Sequence, residues 1–192
     1  PAPKQCIDKI PHLDGTWRVL SYQMPINPIS ATVLRTGEVL IVAGSENHLH
    51  HHQGGAASYR AVIWDPTGVD ASSLDVVHVG YDIFCSGTVV LADGRALIVG
   101  GTNDYSFTGS QHTLIYDPIT RQFNQAQAMA DGRWYPSITV LGDGRVMAFS
   151  GLALSGSTNR TTQIYSLSSA GAGWGTTSRA PFTPPLYPRL FV

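Results

Sequence analysis

Two groups of residues in this 192-residue chain could do chemistry. The first is the run His48-Leu49-His50-His51-His52. Imidazoles at this density can bind Cu(II), Ni(II) or Zn(II), and on a loop they equally serve as solvated side chains lining a rim. The second is a pair: Cys85 in Phe84-Cys85-Ser86-Gly87, and Tyr135 in Arg133-Trp134-Tyr135-Pro136, 50 residues later. Read alone, Cys85 is a small buried hydrophobe. Cys6 is the other of the two cysteines. The two either form one bridge or have separate jobs. No Gly-x-Ser-x-Gly element, His-Glu-x-x-His, phosphate loop or dinucleotide fingerprint occurs. His12, His78 and His112 are scattered and take no role.

The spacing of the pair gains meaning from the elements around it. Three segments line up: Ile29 to Pro66, Ser86 to Pro118 and Tyr135 to Leu167. Their turn glycines Gly37, Gly94 and Gly144 fall 57 and 50 residues apart, and their aromatics Trp64, Tyr116 and Tyr165 fall 52 and 49 apart. That period fits kelch blades of a β-propeller. Each unit reads as a strand, a hairpin turn such as Asp93-Gly94 or Asp143-Gly144, and a second strand apolar on both faces. Those second strands are Val39 to Val42, Ala96 to Val99 and Val146 to Phe149. Gly44, Gly100-Gly101 and Gly151 then let the backbone pass close to a neighbouring blade. A third strand carries the aromatic. A short fourth strand is expected at Phe123 and is less clear elsewhere.

The fold class expected is therefore all-β: about three four-stranded kelch blades, at 29–80, 81–130 and 131–183. Residues 184–192, which resemble Trp134-Tyr135-Pro136-Ser137, open a fourth. Residues 1–28 form an N-terminal segment, with Thr16 to Leu20 as the outer strand of a preceding or closing blade. Three blades and a stub do not close a ring. The chain reads as a piece of a larger propeller, with a complete small β-domain as the other reading. It opens at Pro1 with no Met, as a processed or trimmed product does. Equivalent positions on adjacent blades lie side by side, so the 50-residue spacing predicts that Cys85 and Tyr135 are neighbours at one end. The loop after a second strand lies at that same end, which puts the His48–His52 run near the entrance. Arg133 is expected to pair with Asp82 or Asp131 between blades, or else to approach a substrate. Trp134 is expected to pack.

The Phe84-Cys85-Ser86-Gly87 and Arg133-Trp134-Tyr135-Pro136 motifs, each opening a repeat, resemble the copper radical oxidases, the galactose oxidase and glyoxal oxidase group. The resemblance runs from about Gly15 to the last residue. It implies a seven-bladed propeller and a thioether bond from Cys85 to the ring of Tyr135. It makes Tyr135 the copper ligand and radical carrier. Such a cofactor pairs a ring that stores one electron with a copper ion that stores another. It oxidises an alcohol or aldehyde and reduces O2 to H2O2. The remaining ligands, a second tyrosine and two histidines, come in that family from later blades and a C-terminal domain. Those parts are the expected intramolecular partners, and this chain alone is expected to be inactive. Ala153 stands where galactose oxidase has a tryptophan stacked on the cross-linked ring, which argues against a galactose-type substrate. The alternative is a non-catalytic kelch propeller serving as a binding or scaffold module.

Composition narrows the rest. Net charge is −1 and only 13% of residues are charged, with no basic run, so a nucleic-acid partner has no support. No apolar run is long enough for a membrane span. Asn159-Arg160-Thr161 matches the N-glycosylation pattern. Chemistry that needs copper and oxygen fits a secreted, extracellular or periplasmic site.

Overall fold

Sequence periodicity resolves into stacked sheets. The computed structural model describes Gly15, residues 18–167 and residues 172–192. Cys6, His12, Thr16 and Trp17 lie outside these, and Arg18 to Leu20, the rest of the expected outer strand, joins no sheet.

The first sheet takes β1 (Ser30–Val33), β2 (Val39–Gly44), β3 (Arg60–Trp64) and β4 (Leu74–His78) in chain order. The second runs β5 (Gly87–Val90), β6 (Ala96–Val99), β9 (Thr113–Asp117) and β10 (Gln122–Gln125). A small hairpin of β7 (Thr102–Asp104) and β8 (Thr108–Gly109) interrupts it. The third sheet is β11 (Ser137–Val140), β12 (Val146–Phe149), β13 (Thr161–Ser166) and β14 (Gly173–Arg179). Every neighbouring pair is antiparallel. The one helix of the described residues that makes α-type turns, α1 (Leu49–Gln53), holds most of the histidine run.

Alternation along the second strands explains how the sheets stack. Leu40 and Val42 of β2 meet Ala96 and Ile98 of β6 in one core, which Ile63 and Tyr116 complete. Leu97 and Val99 point the other way, into a second core with Val146, Ala148 and Tyr165. The middle sheet is thus buried on both faces, as its continuous apolar strand requires. Residues before β1 cover the outer face of the first sheet, where Ile26 packs on Ile41, Ala43 and Val62. The first strands then come side by side, β1 against β5 and β5 against β11. The architecture is all-β and propeller-like.

Fourth strands exist in all three sheets, not only at Phe123. Close approach of sheets also has its expected cause. Gly44 has φ +60°, and a Cβ there would stand 2.4 Å from the backbone nitrogen of Phe84. At Gly100, with φ +76°, a Cβ would stand 2.1 Å from the carbonyl oxygen of Arg133. Gly100→Ala is therefore expected to destabilise the fold by about 3 kcal/mol or more, read as a fall in the urea midpoint. A change below about 1 kcal/mol would mean that the two segments can separate freely.

Candidate active site

The first strands of the second and third sheets are each entered through a residue with left-handed backbone. Cys85, two residues before β5, has φ 55°, and Tyr135, two before β11, has φ 63°. The turn aims both side chains at the same end of the sheets. The Tyr135 N–H donates to the Cys85 carbonyl at 3.1 Å, so the two entry turns are joined directly. The structure brings together the pair that the repeat spacing juxtaposed.

Their surroundings are apolar and aromatic. Cys85, Phe84 and Trp134 are buried in one cluster, with Tyr105, Tyr135, Ile29 and Leu152 against it. The Trp134 indole stacks on Tyr135 with centroids 4.8 Å apart and planes 19° from parallel. Trp134 therefore does more than pack: it covers a face of the Tyr135 ring. Ala153 is buried without touching that role. Burial pushes the Cys85 thiol up, against hydrogen bonding with Tyr135 and Tyr187. Burial, helped by Cys85, pushes the Tyr135 phenol up to about 12. Without a cation the phenol stays protonated at neutral pH.

Arg133 and Asp82 are both close to the pair, yet they do not meet. Arg133 is fully buried and forms no salt bridge with Asp82 or Asp131. It donates instead to the carbonyls of Ser150 (2.8 Å) and Thr161 (2.6 Å) and to Gln163 Oε1 (3.2 Å). All three acceptors belong to the third sheet or its loops, so the expected bridge between blades is a tie within one. Five donors in a rigid fork suit carbonyls converging from several directions. Asp82 is also buried. Its Oδ1 accepts from the backbone N–H groups of Ser45 (2.9 Å) and Phe84 (3.1 Å), and its Oδ2 lies 2.8 Å from His52 Nδ1.

That last contact places the histidine run at the Cys85 end, as its topology predicted. The His52 ring also lies 5.1 Å from Tyr105. His48 and His51 stack at 4.6 Å rather than converging on a point. Among the described residues no group of three or more His, Cys, Asp or Glu is placed to hold a metal ion. Asn159 is buried, its Nδ2 donates to the Gly132 carbonyl at 3.1 Å, and its Oδ1 accepts from the Thr161 N–H. The folded chain does not present it to a glycosyl donor.

One residue of the site escaped the sequence reading. Tyr187 has φ 49°, and its N–H donates to the Tyr135 carbonyl at 3.0 Å. It repeats Tyr135 just as Tyr135 repeats Cys85. The signal was there: Tyr187-Pro188 follows Tyr135-Pro136 by 52 residues. No strand follows Tyr187, so residues 184–192 run alongside the third sheet without forming one of their own. Cys85, Tyr187 and the starts of β1, β5 and β11 line an open cleft of about 470 Å3.

A propeller-like protein with a cysteine and a tyrosine in adjacent entry turns is the class these features define. No protein-family model matches the chain. In sequence it is 28% identical, over 156 residues, to galactose oxidase of Gibberella zeae, a match covering 81% of this chain and 22% of the relative. A second galactose oxidase sequence from that species matches to the same degree. The chain thus spans less than a quarter of the length of the curated relatives it matches. In structure it is similar to a fungal alcohol oxidase of the AA5 family in complex with copper. The TM-score is 0.57 at 20% identity, covering 79% of this chain and 30% of that one, and this likeness shows the fold. The sequence relationship is therefore to galactose oxidase and the structural one is of fold.

Proposed function

We propose that this chain is part of a copper radical oxidase in which Cys85 and Tyr135 form a thioether-linked redox cofactor. The observation that carries the reading is the joined pair of entry turns, which sets a buried thiol beside a partly buried phenol under an indole. The blades are of kelch type, at 29–80, 81–130 and 131–183, with 184–192 opening the next. The ring is completed by further blades and a C-terminal domain of the same protein. Until they are present the chain is inactive.

Tyr135 fits copper as one ligand of a larger set. Its phenol is held protonated up to about 12 by burial, so binding a cation there displaces a proton. When bound, copper supplies a one-electron redox partner and a Lewis acid beside the ring. The chain's own residues do the rest. Tyr135 offers the oxygen and an oxidisable ring. Cys85, once linked, donates electron density into that ring and lowers the potential needed to oxidise it. Trp134 shields the ring face from water and from small reductants. Phe84, Tyr105 and Leu152 keep the surroundings dry, which strengthens every polar contact inside. The substrate is a small alcohol or aldehyde. It loses two hydrogens' worth of electrons and protons, and O2 takes them up as H2O2. Such a protein works where copper and oxygen are available, secreted or in a periplasm. Among the described residues no helix is long and apolar enough to cross a membrane.

The test is a mass. Treating the whole protein with Cu(II) and air is expected to lower its intact mass by about two hydrogens, the balance of one C–S bond formed. Cys85 then resists alkylation, and Cys85→Ala shows no loss. An unchanged mass with Cys85 freely alkylated would leave a non-catalytic binding propeller as the better account.

A further inference from the structure

Tyr187 lies at the same site with nothing yet assigned to it. Its ring meets Tyr135 at 80°, with centroids 5.4 Å apart, while Trp134 lies nearly parallel to Tyr135. Tyr135 is therefore held by one stacked and one perpendicular aromatic. The Tyr187 turn is itself pinned at three points along one short stretch. Its N–H donates to the Tyr135 carbonyl at 3.0 Å. Ser150 Oγ donates to the Pro185 carbonyl at 2.6 Å, and Ser137 Oγ donates to the Pro188 carbonyl. Two of these anchors, Tyr135 and Ser137, belong to the Tyr135 turn and the start of β11, and the third, Ser150, directly follows β12. The strap fixes the Tyr187 backbone beside the turn it crosses, and the ring, 47% exposed, lies edge-on to Tyr135.

We infer that Tyr187 is a positioning residue for the thioether bond, its ring holding the Tyr135 ring in the one orientation from which Cys85 Sγ reaches a single ring carbon. The inference rests on the oxidase reading above. In the step it serves, the S–H bond and one ring C–H bond of Tyr135 break and the S–C bond forms. Two protons and two electrons pass to dioxygen, which leaves as hydrogen peroxide. Tyr187 takes no part in the electron count; it removes rotational freedom from the ring under attack, and misplacement of a reacting carbon by about 1 Å can cost on the order of 100-fold.

The experiment follows the two-hydrogen mass loss with time, in the whole protein prepared without copper and then given Cu(II) and air. Tyr187→Leu is expected to slow the loss at least tenfold, and Tyr187→Phe, which restores the ring, to return it to within about twofold of the parent. Melting temperature is read alongside, because a purely structural role would move it and leave the rate of linkage in folded protein unchanged. The double variant Ser137→Ala, Ser150→Ala releases the strap without touching the ring and is expected to slow linkage severalfold. This arm stands even if Tyr187→Leu does not fold. Linkage at the parental rate in folded Tyr187→Leu or in the released strap overturns the inference while leaving the oxidase reading in place. So does a Phe variant as slow as the Leu one. No mass loss in the parent itself overturns the oxidase reading first.

Discussion

Oxidation of an alcohol or aldehyde by the whole protein is expected to fall by on the order of 10^4-fold when Tyr135 becomes phenylalanine. The substitution removes one oxygen atom. Without it the ring cannot ligate a cation, and an unsubstituted benzene ring is far harder to oxidise than a phenolate. Packing barely changes, because phenylalanine keeps the stack on Trp134 and the perpendicular contact with Tyr187. The phenol it replaces is already poorly solvated, its deprotonation pushed up to about 12 by burial. Stability is thus expected to shift by no more than about 1 kcal/mol. Peroxide formation with a panel of small alcohols and aldehydes measures the first quantity and thermal melting the second. Activity above a tenth of the parent's, in folded Tyr135→Phe, would remove Tyr135 from the chemistry.

The second large effect concerns stability. Arg133→Met is expected to cost about 3 kcal/mol, a fall in melting temperature of roughly 6–12 °C for a chain of this size. The substitution leaves the Ser150 and Thr161 carbonyls and Gln163 Oε1 without their shared donor inside the third sheet. Removing a desolvated charge offsets part of that loss, which keeps the net below the sum of three orphaned acceptors. The pH dependence has a definite sign. Burial pushes the Arg133 guanidinium down to about 10 from an ordinary 12.5. Between those values the unfolded chain holds more protons than the folded one, so this group makes stability rise with pH only there. From pH 6 to 9 it is charged in both states. The difference between parent and Arg133→Met in urea midpoint should stay constant across that range. A difference that vanishes as pH falls toward 6 would point to a carboxylate partner after all.

How much of this was written in the residues differs from place to place. The second strands were legible because burial on both faces demands an unbroken apolar run, and Ala96 to Val99 has no other reading. The hairpins were legible from glycines at left-handed positions, φ +84° at Gly94 and +82° at Gly144. β4 and β14 were not, because outer strands need no unbroken apolar run and draw their shape from the partner they pair with. Gly173–Arg179 takes its strand form through its ladder with β13. Within the site, one repeat length was enough to put Cys85 beside Tyr135. The stack of Trp134 on Tyr135 was hidden, since adjacent residues normally diverge and only the left-handed turn at Tyr135 folds one ring over the next. Arg133 misled for a related reason. Its acceptors are backbone carbonyls, which every residue owns and no sequence marks, whereas Asp82 and Asp131 stand out on the page.

The left-handed backbone at Cys85, Tyr135 and Tyr187 has a price for anyone wishing to harden this protein. A side chain held at positive φ gives up roughly 1 kcal/mol that glycine would keep. Glycine at any of the three would relieve that strain but forfeit the packing of the thiol or ring, a loss of about 2–4 kcal/mol at a packed aromatic, so the side chains outweigh the strain they cause. A thermostable library therefore gains nothing at these three residues and needs them fixed before it is made.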